Sequence, residues 1–256
     1  MPAALAVMVL AGCGTGGGTT SPQPSESSMP PGFLFAESFD GGAVGEDITP
    51  ADTIFNVIEN QPATFEASPQ PVDGSLVGRY ESSGDNIRTK VEFAIDGTDP
   101  GGATQLYERV YLWVERYPSA VMRFLTFETS PEVTPPGEDV LALRMDARGH
   151  IEVYDGAEFE PENETTSEVP LGQWVRVEVM FDSTAGPHGQ TQVRLFTGAN
   201  VEGTEPDETV TIDHVASPGN PVTTAAFGVL NLVKVDYSLD AIEASTLTWV
   251  GPVDGA

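Results

Sequence analysis

The residues best placed to do chemistry in this 256-residue chain lie in the run Tyr107, Arg109, Tyr111, Trp113, Glu115, where every second position is aromatic or charged. At a period of two, these side chains share one face of a β-strand. Aromatic rings stack on the C–H-rich faces of pyranose rings, and charged groups fix hydroxyls. Tyr111 and Trp113 are therefore candidate ligand platforms, with Arg109 and Glu115 beside them. Arg123 and Arg144 join the set if their strands neighbour this one. The opposite reading of the same strand makes the aromatic row core and turns Val110, Leu112 and Val114 outward.

Catalytic patterns are absent from the sequence. Glu158, Glu160, Glu162 and Glu164 alternate, but Pro161, Asn163 and the following threonines read as an exposed acidic loop, and Glu205-Pro-Asp-Glu208 reads likewise. The three histidines, His150, His188 and His214, are too dispersed for a zinc site. No Ser-His-Asp arrangement, phosphate-cradling Gly-rich loop or CxxC pair occurs. No residue is assigned a catalytic role, and the expectation leans away from an enzyme.

The elements that must position these residues read as strands. Period-two alternation recurs beyond Phe33, broken by Gly, Pro, Asp and Asn, with almost no sustained period of 3.6. The expected strands are 34–39, 64–66, 76–80, 87–95, 107–116, 121–128, 140–146, 150–154, 174–181, 191–197, 209–212, 226–237 and 240–248. In the 174–181 strand, Val175, Val177, Val179 and Phe181 make the core row. The length suits one large domain that needs no staples, and one cysteine forbids an internal disulfide. A formal charge of −28, from 11 basic and 39 acidic residues, repels phosphates and excludes a nucleic-acid partner.

The N-terminal segment reads as a targeting signal. Residues 1–12 are apolar but too short for a permanent membrane span. They end in LAGC (10–13), which resembles the lipobox of bacterial lipoproteins, so Cys13 is the expected lipidation site. No Lys or Arg precedes Arg79, which departs from the basic start of such signals. The tract GTGGGTTSPQPSESSMPPG (14–32) reads as a flexible tether, and 33–256 as the folded domain. The expected location is the cell surface, held to the membrane through a lipid anchor alone, or the secreted fraction.

Four motifs appear in an order that resembles the concanavalin A-like, laminin-G-like jelly roll. FAESFDGG (35–42) is similar to its first strand and turn, and VLALRMDARGHIEVYDG (140–156) to its central hairpin. LGQWVRVEV (171–179), with QVRLFTG (192–198) as hairpin partner, resembles its "G-x-W" strand, and LDAIEASTLTWVGP (239–252) its ending. The resemblance implies an all-β sandwich of two antiparallel sheets. Many relatives carry structural calcium and bring their termini together, which makes Glu37, Asp40 and Asp240 the candidate Ca²⁺ ligands. The glycosidase Glu-x-Asp-x-Glu strand is missing, and Arg88-Thr-Lys-Val-Glu-Phe and His150-Ile-Glu only faintly echo alginate-lyase strands. The expected function is non-catalytic binding of a polysaccharide, glycan or other surface polymer. The alternatives are a hydrolase or lyase with a divergent site, and a purely structural or adhesion module.

Overall fold

Alternating sequence of this kind buries one side of each strand, so the stable solution is two sheets packed face to face. A computed structural model describes residues 31–60, 62–92, 102–129, 139–154, 159–215 and 219–253. Cys13, the expected signal segment and all but the end of the expected tether lie outside these residues. The strands are β1 (Phe33–Glu37), β2 (Val57–Asn60), β3 (Thr64–Glu66), β4 (Val77–Ser83), β5 (Ile87–Glu92), β6 (Gln105–Arg116), β7 (Met122–Glu128) and β8 (Asp139–Met145). They continue with β9 (His150–Tyr154), β10 (Phe159–Glu168), β11 (Trp174–Asp182), β12 (Gln190–Phe196), β13 (Glu208–Ile212), β14 (Thr224–Val229) and β15 (Lys234–Ser245). Among the described residues, no helix is long and apolar enough to cross a membrane.

Sheet A runs β13-β12-β11-β6-β15-β4-β3, with β1 also on β15; sheet B runs β10-β9-β8-β7-β14-β5-β2. Every strand pairing is antiparallel, the arrangement expected of a jelly-roll sandwich. The core lies between the sheets. Val175, Val177, Val179 and Phe181 face it, as do Val110, Leu112 and Val114, all at most 1% exposed. The reading that turned the latter row outward is thereby corrected. Phe127 of sheet B meets Phe181 of sheet A edge-on at 6.2 Å, and Tyr80 of sheet A hydrogen-bonds Thr89 of sheet B at 2.9 Å.

Two further expectations are corrected. The acidic 158–164 stretch belongs largely to β10 rather than to a loop. An edge strand tolerates proline because one of its sides needs no ladder donors. The expected 226–237 strand is two strands in different sheets. Asn231 makes the break: its Oδ1 accepts the Arg123 N–H at 2.8 Å, its Nδ2 donates to Val121 O at 2.7 Å, and its own carbonyl accepts the Val233 N–H.

Candidate functional site

The outer face of sheet A carries the aromatic row of β6, but most of it is covered. Tyr111 is fully buried; its hydroxyl donates to Glu202 at 2.9 Å and accepts the Val253 N–H. Burial pushes its phenol up to about 12. Arg109 is 4% exposed and donates to Ala241 O, Gly251 O and Glu243. Arg176, on the same face, is wholly buried against the Phe196 ring and donates to Gly203 O at 2.5 Å. The chain near 202–203 and the C-terminal segment to Val253 thus lie over Tyr111 and Arg109, which rules both out as open platforms. Trp113 and Glu115 stay outward, joined by an Nε1–H to Oε1 bond of 2.7 Å.

Arg123 and Arg144 belong to β7 and β8 in sheet B, on the opposite layer, so they cannot share a site with Trp113. Alternation gives the face of a strand but not the sheet that receives it. On the outer face of sheet B the two arginines are direct neighbours, each with its guanidinium near the Tyr154 ring, at 5.4 Å for Arg123 and 5.6 Å for Arg144. Arg123 pairs with Asp139, and Arg144 with Glu152 at 3.5 Å.

Register builds this face into a site. Lys90, Ala226, Thr126, Ala142 and Tyr154 form one row across β5, β14, β7, β8 and β9. Four strand spacings put its ends about 19 Å apart. The middle of the row is small, and its flanks are charged or aromatic. Gly228 continues the small strip beside Arg88, and a Cβ there would sit 2.1 Å from Ile87 O. Glu128, 7% exposed, reaches across β14 to bind Arg88 and Lys90, the latter at 3.3 Å. Glu59 supports the same two cations at 3.5 and 3.6 Å. Arg88, Lys90, Arg123 and Arg144 are four of the chain's eleven basic residues. The sequence offered no signal for the small strip, because three separate strands supply it.

The carboxylates expected to hold calcium do not converge. Glu37 accepts the Phe39 and Ile54 N–H groups at 2.6 and 2.8 Å. Asp40 accepts from Ser75 N and Oγ. Asp240, fully buried, accepts from Val72, Asp73 and Ala241 N–H. Burial, against those three donors, leaves its carboxyl pushed up to about 7. These groups tie loops to the sandwich through the hydrogen bonds they accept. Among the described residues, the acidic oxygens that do meet are those of Asp146, Glu152 and Glu164, within 4.8 Å. Arg148 bonds Asp146 there at 2.7 Å, so a cation would compete with it. Burial lifts Glu152 above its usual range; Arg144 opposes this, and Asp146 and Glu164 add to it.

No protein-family model matches the chain, and no curated protein does. Solved structures match in fold. The endo-β-1,4-glucuronan lyase of the fungus Trichoderma reesei superposes with a TM-score of 0.54 at 12% identity, covering 86% of this chain and 98% of that one. Alginate lyase Aly36B gives 0.53 at 10% identity, with the same coverage. A marine alginate lyase from Aplysia kurodai gives 0.53 at 9%, covering 84% and 99%. These likenesses establish the β-sandwich fold of the chain.

Proposed function

We propose that this protein binds a polysaccharide laid across the outer face of sheet B. The observation that carries the reading is the row Lys90–Ala226–Thr126–Ala142–Tyr154, whose three small central residues are at most 1% exposed, so that the surface a ligand meets is the partly exposed Tyr154 ring with the fixed donors Arg88, Lys90, Arg123 and Arg144. Ion pairing holds Arg88, Lys90, Arg123 and Arg144 in place before a ligand arrives, so little side-chain entropy is lost on binding. Hydroxyl groups can take both the donors and the carboxylate acceptors of such a surface. That the fold neighbours are polysaccharide-acting enzymes supports a glycan as the ligand.

One observation favours a second reading, a lyase. Tyr154 stands beside two guanidinium groups, a set able to hold a uronate carboxylate and move a proton. In that case Arg123 and Arg144 must leave Asp139 and Glu152 for the substrate.

The test is retention of the full chain on a panel of immobilised neutral and acidic polysaccharides, with the soluble fraction followed for unsaturated uronate by ultraviolet absorbance. Binding without product is expected, and Tyr154→Ala should weaken it about tenfold, the usual order for losing a stacked ring. Unchanged retention in Tyr154→Ala and in Arg144→Ala would overturn the site, whereas product formation would select the lyase.

A further inference from the structure

A second surface lies on the outer face of sheet A, beyond the part that the C-terminal segment covers. Trp174 of β11 and Trp113 of β6 are direct cross-strand partners with their rings edge to face at 5.7 Å, and both are partly exposed. Their polar edges are already used. Trp113 donates to Glu115, and Trp174 Nε1 donates to Gln70 O at 2.8 Å. What the pair presents is oriented apolar ring surface, the kind that carries a sugar ring.

Arg116 stands three residues along β6 from Trp113, a distance of about 10 Å. With Lys234, Glu81, Ser82 and Ser83 it lines an open pocket of about 420 Å³. Nine of the eleven basic side chains have a partner: eight make ion pairs, and Arg194 lies over the Trp249 ring at 3.6 Å. Among the described residues, the exposed Arg116 and Lys234 side chains have neither an ion pair nor a hydrogen bond. The nearby carboxylates are engaged elsewhere, Glu81 and Asp236 with Arg79 and Glu115 with Trp113. In a chain with 39 acidic residues, these two exposed cations share one open pocket without an ion pair among the described residues, and so can receive an incoming anion.

We infer that this pocket receives the anionic substituent, carboxylate or sulfate, of an acidic polysaccharide whose neighbouring ring rests on Trp113 and Trp174. Each substituent oxygen would accept charge-assisted hydrogen bonds from Arg116 and Lys234. The overall negative charge does not forbid this, because charges more than about 8 Å away are largely screened at physiological salt. The site is separate from that on sheet B, and the two faces together would let one molecule bridge two glycan chains.

Tryptophan fluorescence separates the two sites, since all three tryptophans belong to sheet A or its C-terminal cover and none to sheet B. The full chain is titrated with polygalacturonate, with dextran sulfate and with neutral dextran. At least one anionic polymer should shift the emission while dextran does not, and which one does so identifies carboxylate or sulfate. The double variant Arg116→Gln/Lys234→Gln should bind about tenfold more weakly and lose most of the salt dependence, and Trp174→Phe should diminish the signal. Tyr154→Ala, on the other sheet, should respond as the wild type does. An equal response to dextran, no response to either anionic polymer, or wild-type affinity in the double variant would overturn the inference.

Discussion

Glu108 stands in the core row of β6, opposite Val179 and Ala244, is 1% exposed, and among the described residues has no hydrogen-bond partner on either carboxyl oxygen. Burial alone drives its acid well above the usual range, so the folded protein holds a proton there that the unfolded chain releases. A group whose folded value is raised contributes fully only below its unfolded value, near 4.5, and loses that contribution as pH rises. One extra proton in the native state corresponds to a slope of about 1.4 kcal/mol per pH unit. Glu108→Leu removes the titration and adds apolar contact. The variant should therefore exceed the wild type at every pH, by about 1–3 kcal/mol at pH 4 for the orphaned polar group, and by a gap that widens at the slope above. For a domain of this size each kcal/mol is about 2–4 °C in Tm. Chemical denaturation of the full chain and of Glu108→Leu at pH 4, 5, 6 and 7 reads the gap directly, with Glu108→Gln as the shape-preserving control. Parallel stability curves, or a variant less stable than the wild type at pH 7, would refute the argument.

Other perturbations test the framework around the sites. With its carboxyl pushed up from 3.8 to about 7, Asp240 should cost the wild type more and more stability relative to Asp240→Asn as pH rises between these values, and the full cost should persist above them, as urea midpoints across and beyond that range will reveal. Gly228→Ala meets Ile87 O at 2.1 Å at a φ of +125°, and should lower stability by at least about 1–3 kcal/mol and disturb the Arg88 end of the sheet B strip, both measurable by thermal unfolding and by polymer retention. Tyr80→Phe removes the 2.9 Å bond that ties the two sheets at Thr89; it should cost about 1–2 kcal/mol in denaturant titrations.

Much of the fold was legible in the sequence because period-two alternation and turn residues report strand faces and ends. The valine row of β11 points to the core as its spacing requires, whereas for β6 spacing left open whether the aromatic or the aliphatic row faces inward, and the structure turns the aliphatic row in. What alternation lacks is the identity of the neighbouring strand. Arg123 and Arg144 read like companions of Trp113 although the crossover after β6 carries them to the other sheet. Tyr111 reads as open because nothing in β6 announces that Glu202 and Val253 fold over it. Trp174 was legible as an outward residue of its strand, yet its pairing with Trp113 depends on register across 61 positions of chain, which residue types do not encode. The strip Ala226, Thr126, Ala142 is invisible for a related reason: small residues carry no chemistry until three strands set them side by side.

Hydrogen–deuterium exchange of the full chain, with and without a polysaccharide that retains it, tests most directly the claim that sheet B is the binding face. The account predicts slowed exchange in β5, β7, β8, β9 and β14, centred on Lys90, Thr126 and Tyr154, for a hydroxyl-rich neutral polymer. Protection confined to β6 and β11 with that polymer, or none on either sheet, would contradict it.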